Sequence, residues 1–198
     1  ERQYGSGGRI TGMRLAEELG IHYYDEEILK MTSETSAIGE QYFRLADEKA
    51  GNNLLYRIVS GMKPSMGTPS IGDRLTTPEN LFKFQSAVIR QLAAEESCII
   101  VGRCADYILE DIPNHLNVYV YAPDEARLKN CVENLQMDPQ TAKKMMRDVD
   151  AARNRYHKAY IPGWQSVFDH KDLMIDSSRF GIDGTAKILA DIVKNQWG

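Results

Sequence analysis

The chain has 198 residues, 26% of them charged and 42% hydrophobic, and a net charge of −4; this length suits one well-buried domain and is short for two. No apolar run approaches the roughly 20 residues of a membrane span, and no signal peptide is visible. The acidic balance argues against general nucleic-acid binding but leaves room for a local anion site.

In chain order, ERQYGSGGRITGMRLAEELG comes first. Ile10, Met13, Leu15, Ala16 and Leu19 give a helical apolar stripe that starts at the glycines, and Gly20 suits a C-terminal stop. An α/β protein places a strand before such a loop, and only four residues precede Gly5, so the first strand is expected upstream of this chain. IHYYDEEILK reads as a short strand ending near Tyr24, with Asp25 as N-cap of a helix through Ile28 and Leu29. Residues 51–77, with scattered Gly, Pro and Ser, read as a mobile insertion.

PENLFKFQSAVIRQLAAEES supplies a strong helix with Leu81, Phe84, Ala87, Val88 and Leu92 on one side, and CIIVG follows as a buried strand. NVYVYA is a further strand, followed by the helical DEARLKNCVENL. DPQTAKKMMRDVDAARNRYHKAY opens with Asp138 and Pro139, a capping signal. DLMID is the last strand and IDGTAKILADIVKNQ the closing helix. Strands alternating with helices imply a parallel sheet with right-handed crossovers.

Three segments carry residue types suited to chemistry. In GSGGRIT, glycines precede a cation at Arg9 and a hydroxyl at Thr11 where a helix departs. Glycines let backbone N–H groups ring phosphates, the cation offsets their charge, and the hydroxyl can ligate Mg²⁺. The same glycines also suit a structural tight turn, and the spacing departs from G-x-x-x-x-G-K-[ST]. In VGRCADYIL, Gly102, Arg103 and Asp106 follow a buried strand, where open α/β sheets bind ligands. Arg103 is a fork for phosphate and Asp106 an acceptor for a base or sugar, or the two lock a loop as a pair. In RDVDAARNRY, Arg147, Arg153 and Arg155 read either as a solvated helix face or as a lid that supplies charge for phosphoryl transfer. Arg153 and Arg155 cannot share one ideal helical face.

Other chemistry is less well supplied. Cys98, Cys104 and Cys131 lack metal-ligand spacing and read as free thiols in a reducing cytoplasm. No Cys-His-Asx constellation accompanies Cys104. The histidines at 22, 115, 157 and 170 are scattered singly, against a zinc site. Tyr156, Tyr160 and Trp164 suit packing under the lid better than stacking on a base.

Taken in order, QYGSGGR, YYDEEIL, ADEKA, IIVGRCADYIL, VYVYAPDEAR, RDVDAARNRY and DLMIDSSRFGIDG resemble the cytidylate kinase-like proteins, a branch of the P-loop nucleoside monophosphate kinases, over nearly the whole chain. The resemblance implies a single α/β domain with a three-layer P-loop kinase fold: a central parallel sheet flanked by helices, and a helical arginine-bearing lid over about 138–163. It implies that Gly5, Ser6, Gly7, Gly8, Arg9, Ile10 and Thr11 hold ATP phosphates, with Thr11 on Mg²⁺. Arg9-Ile10-Thr11 stands where cytidylate kinases typically carry Lys-Gly-Thr, and Arg9 replaces a compact ammonium with a broad fork. Asp25, Arg103 and Asp106 match positions that serve the acceptor nucleotide, and Arg147, Arg153 and Arg155 match the lid arginines.

The expected activity is ATP- and Mg²⁺-dependent transfer of phosphate to a small phosphorylated acceptor, CMP or dCMP first. Two alternatives are a nucleotide-binding sensor without turnover and a kinase for a non-nucleotide metabolite. The expected partners are small molecules, with neither nucleic acid nor membrane.

Overall fold

The structure, a computed structural model, describes residues 1–25 and 78–198. The expected helix through Ile28 and Leu29, the ADEKA segment and the 51–77 insertion lie outside the described residues. In chain order the elements are α1 (Gly8–Leu19), β1 (His22–Tyr24), α2 (Pro78–Glu95), β2 (Cys98–Ile100), α3 (Ala105–Ile108), β3 (Val118–Tyr121), α4 (Asp124–Glu133), α5 (Pro139–Tyr160), β4 (Leu173–Asp176) and α6 (Ser177–Trp197). The strands at 22–24, 98–100, 118–121 and 173–176 and the helices α1, α2, α4 and α5 lie where the sequence pattern places them, whereas α3 is not among the expected elements and α6 starts at Ser177, ahead of the expected Ile182. The backbone groups into two compact units, one of Glu1–Gly20 with Glu110–Gly198 and one of Ile21–Leu109. None of the described helices is long and apolar enough to cross a membrane.

In the first unit, β3 and β4 pair in parallel, with Val120 opposite Ile175. The segment before the glycines continues this pairing: Val120 N–H donates to the Glu1 carbonyl and Gln3 N–H to the Val120 carbonyl, both at 3.0 Å. Arg2 forms a parallel bridge with Val120. Residues 1–3 thus lie paired beside β3 and run directly into the glycines.

Helix α1 packs on α6, and the face it buries differs from the apolar stripe. Gly8, Thr11, Gly12, Leu15 and Ala16 are buried, whereas Ile10 and Met13 are 38% and 43% exposed. Small residues on the inner face admit the close approach of α6, which contributes Thr185, Ala186, Leu189 and Ala190. Burying Leu15 and Leu189 contributes about 1.5–3 kcal/mol each. Gly20 stops α1 with φ 66° and returns its N–H to the last turn.

Helices α4 and α5 share a core of Cys131, Ala142 and Met146, against which Tyr4, Leu128 and Met137 pack. Asp138 caps α5 by accepting from Thr141 N–H at 2.9 Å, with Pro139 in the first turn. Asp176 accepts from Ser178 N–H at 2.9 Å at the start of α6. That helix is interrupted at Gly181 (φ 68°, ψ 176°), so the closing helix proper starts after it.

In the second unit, β1 and β2 pair in parallel, Tyr24 opposite Ile100. Val88, Ile89 and Leu92 of α2 are fully buried, and Gln85 joins the buried set on the same helix. His22 and Tyr24 both reach the Glu96 carboxylate at 2.7 Å.

Candidate functional site

The glycine loop is the turn between the residue 1–3 strand and α1. Gly5 and Gly7 have φ of 81° and 78°, in the left-handed region that glycine adopts without a Cβ penalty. A Cβ on Gly5 would lie 2.9 Å from Cys131 Sγ and 3.0 Å from the Arg127 carbonyl; one on Gly8 would lie 2.6 Å from Arg2 Cβ. These glycines are therefore required by close packing behind the loop as well as by its turn.

Gly7 is the residue before the first turn of α1, which has no side-chain cap and no acidic residue in its first turn. The helix dipole and the first-turn N–H groups make this end electropositive. Arg9 and Ile10 are exposed there. Thr11 is 1% exposed, and its hydroxyl has no hydrogen-bond partner among the described residues. An orphaned, buried hydroxyl in the first turn after a glycine loop fits an oxygen donor to a hard cation, the role expected for Mg²⁺.

The loop is fastened from several sides. Ser6 Oγ donates to the Gln3 carbonyl at 2.9 Å and receives the Gly8 N–H at 3.3 Å. Ser177 Oγ, at the start of α6, donates to the Ser6 carbonyl at 2.6 Å. From α4, Arg127 Nε donates to the Tyr4 carbonyl at 2.7 Å and Asn130 Nδ2 to the Gly5 carbonyl at 2.8 Å. From α5, Asp150 Oδ1 accepts the Tyr4 N–H at 2.8 Å. Arg127 is 5% exposed and also pairs with Asp150 and Asp124. Burial raises the pKa values of the Tyr4 phenol and the Cys131 thiol beside this network. Tyr119 is pushed up to about 12, by burial first and the Asp150 charge second.

Sequence reasoning missed Arg127, Asn130, Asp150 and Ser177. Arg127 sits in DEARLKN, a string that reads as a solvated helix face, and Asp150 reads as a spacer between arginines. A buried arginine leaves no periodic signature when its partners are distant in sequence.

The three arginines of α5 differ in environment. Arg153 is half-buried; its NH1 donates to the Arg2 carbonyl at 3.1 Å and lies 3.5 Å from Asp150. Arg147 and Arg155 are exposed. The glycine loop and Arg153 are thus brought together, while Arg147 and Arg155 extend from the same helix into solvent. The Tyr156 and Tyr160 rings are 4.7 Å apart between centres with their planes tilted by 54°, and the His157 and Trp164 rings are 5.7 Å apart.

Asp25, Arg103 and Asp106 all belong to the second unit. Asp25 follows β1 and is 5% exposed, and Val101 N–H donates to the Tyr24 carbonyl at 2.8 Å. β2 leads into Gly102, Arg103 and Cys104, three consecutive left-handed residues with φ of 92°, 56° and 58°. Two non-glycine residues in that region cost about 1–2 kcal/mol each, strain of the kind that collects at functional loops. Asp106 lies in α3, 5% exposed. The parallel register of β1 and β2 therefore places all three residues beyond the carboxyl ends of neighbouring strands, where α/β sheets bind ligands.

A model described as the cytidylate kinase-like family matches residues 1–179. Among solved structures, an uncharacterized protein from Eubacterium ventriosum superposes with a TM-score of 0.67 at 24% identity, covering 98% of this chain and 94% of that one. This likeness shows the shared fold. A shikimate kinase from Acinetobacter baumannii in complex with shikimate matches with a TM-score of 0.46 at 15% identity, over 99% of this chain and 92% of that one. No curated protein matches the chain significantly.

Proposed function

Because the chain belongs to the cytidylate kinase-like family, we propose that it is an ATP- and Mg²⁺-dependent phosphotransferase acting on a small phosphorylated acceptor, with CMP or dCMP as the first acceptor. The observation that carries this reading is the glycine loop: a paired strand, two left-handed glycines and an uncapped helix start without an acidic residue.

In this reading the backbone at Gly5 and Gly7 and the start of α1 hold the ATP phosphates, while the Ser6 and Gly8 N–H groups are engaged within the loop, and Arg9 supplies the adjacent cation. The Arg2 side chain packs against Gly8, where a Cβ would lie 2.6 Å from Arg2 Cβ, so only glycine fits at position 8. Thr11 Oγ1 would hold Mg²⁺, which supplies charge neutralisation and orientation of the phosphates when bound. An acceptor phosphate oxygen attacks the γ-phosphorus, and the bond from that phosphorus to the β–γ bridging oxygen breaks, giving ADP and the diphosphate product. The attacking oxygen is already anionic at neutral pH, so positioning and charge stabilisation carry the rate. Arg147 and Arg155, exposed on a helical lid, close over the transferring group. Arg153 steadies that helix against the loop, while Asp25, Arg103 and Asp106 bind the acceptor.

The test incubates the protein with ATP and Mg²⁺ against CMP, dCMP, UMP, AMP, GMP and no acceptor, following ADP and the diphosphate product. Acceptor-dependent ADP formation that is lost on Arg9→Ala supports the kinase and names its acceptor. A second reading, a nucleotide-binding sensor without turnover, is favoured by the engagement of Arg153 with the Arg2 carbonyl and Asp150, which removes one lid arginine from phosphate duty. ATP binding without acceptor-dependent ADP across the panel would establish that reading.

A further inference from the structure

The peptide groups flanking Tyr4 are held at both ends by side chains from two helices. The Asp150 carboxylate accepts the Tyr4 N–H at 2.8 Å, and Arg127 Nε donates to the Tyr4 carbonyl at 2.7 Å. The two side chains pair with each other through Arg127 NH2 and Asp150 Oδ2, closing a ring of hydrogen bonds around one residue. Asn130 then takes the next carbonyl, that of Gly5, at 2.8 Å. A loop that binds an anion by its backbone must direct N–H groups outward and dispose of its carbonyls elsewhere. Here the carbonyls at 4 and 5 are taken by α4.

We propose that Asp150 and Arg127 are positioning residues that set the glycine loop in its phosphate-binding conformation from behind, making nucleotide affinity dependent on the placement of α5. The proposal rests on the phosphate-loop reading above. Asp150 touches no phosphate in this scheme; it acts through the Tyr4 peptide. Preorganisation of the loop lowers the ordering cost of binding, so loss of the clamp appears first in nucleotide affinity. The same contacts make α5 part of the loop's support, so the middle of the proposed lid helix is anchored to the loop.

The experiment measures the affinity of a fluorescent ATP analogue in the presence of Mg²⁺, the thermal midpoint, and amide hydrogen exchange at residues 4–8. Four full-length proteins are compared: the unaltered chain, Asp150→Asn, Asp150→Ala and Asp138→Ala. Asp150→Asn keeps an oxygen that can accept the Tyr4 N–H; Asp150→Ala removes it. Asp138→Ala removes the cap of the same helix without touching the loop, and so controls for loss of stability alone. The expected result is weakening by about tenfold or more for Asp150→Ala, roughly threefold or less for Asp150→Asn, and no change for Asp138→Ala. Faster exchange at Tyr4 should accompany the first variant only.

Should Asp150→Ala fail to fold because the buried Arg127 is left with only the exposed Asp124 to offset its charge, the double variant Arg127→Leu/Asp150→Leu carries the same expectation. Affinity within twofold of the unaltered chain in a folded clamp variant overturns the proposal. Equal weakening by Asp138→Ala also overturns it, because stability alone then explains the effect. Failure of the unaltered chain to bind the analogue overturns the phosphate-loop reading itself and this proposal with it. Binding by the unaltered chain that Gly7→Ala abolishes and Asp150→Ala spares overturns the proposal alone.

Discussion

Replacing Gly5 by alanine should destabilise the protein through two separable effects. The first is conformational: Gly5 has φ 81°, and an L-residue there loses about 1–2 kcal/mol. The second is steric: the new methyl would stand 2.9 Å from Cys131 Sγ and 3.0 Å from the Arg127 carbonyl, in a cluster where Cys131 is fully buried. Overpacking of this kind costs about 1–3 kcal/mol. The sum is about 2–5 kcal/mol, and at about 2–4 °C per kcal/mol for a chain of this size the thermal midpoint should fall by about 4–20 °C. Cys131→Ala alone should cost about 1 kcal/mol by leaving a small void.

Combined with Gly5→Ala, the cysteine variant vacates the space that the methyl needs. The two losses should therefore add to less than their sum by about 1 kcal/mol or more. The φ penalty and the Arg127 carbonyl contact persist, so recovery stays partial. Denaturant titration of the four proteins gives the coupling directly. Additivity within about 0.5 kcal/mol would refute the argument that Cys131 forms the wall behind Gly5.

Thr11→Val should leave the ligand-free protein as stable or raise its stability by up to about 1–2 kcal/mol, because the buried hydroxyl has no partner among the described residues; calorimetric unfolding checks this, and a clear loss of stability would show that the hydroxyl is satisfied. The same variant should weaken binding of Mg²⁺-ATP while leaving metal-free ATP binding unchanged. Arg155→Ala, at an exposed position, should keep the thermal midpoint within about 2 °C yet lower turnover by about tenfold or more, whereas Arg153→Ala should lower both; the opposite pattern would reverse their assigned roles. Burial holds the Cys98 thiol at about 12, so about one molecule in ten thousand is thiolate at pH 8, and alkylation by iodoacetamide should be far slower in the native protein than in denaturant. Since this pKa is raised above its unfolded value, its contribution to stability is complete below about pH 8.5 and declines as pH rises toward 12, which alkaline unfolding curves of the native chain and Cys98→Ala would reveal.

Element order was legible because it depends on local periodicity. The VYVY and LMID strands and the DPQT start of α5 announce themselves within a few residues. The inward face of α1 was not, since it is chosen by closeness to α6: Gly8, Thr11 and Gly12 face inward while Ile10 and Met13 remain exposed. The glycine cluster and the arginines of α5 were visible as residue types in a pattern. Their division of labour was not, because it depends on contacts between Arg153 and Arg2, or Asp150 and Tyr4, that chain proximity does not encode. The strand carried by residues 1–3 was hidden for a simpler reason: ERQ has no alternation long enough to read, and its pairing is supplied by β3.

The supports of the glycine loop also bear on how the protein acquires its working form during synthesis. Tyr4 waits for Arg127, which follows 123 positions later, and for Asp150, 146 positions later. Ser6 waits for Ser177, 171 positions on. Contacts between such distant residues form slowly because a large loop must close first. A ribosome translating at about 5–20 residues per second therefore exposes the opening segment for several seconds before the side chains that fasten it have been made. The loop is made more than 120 residues ahead of the side chains that fasten it, and it is among the last parts to become functional.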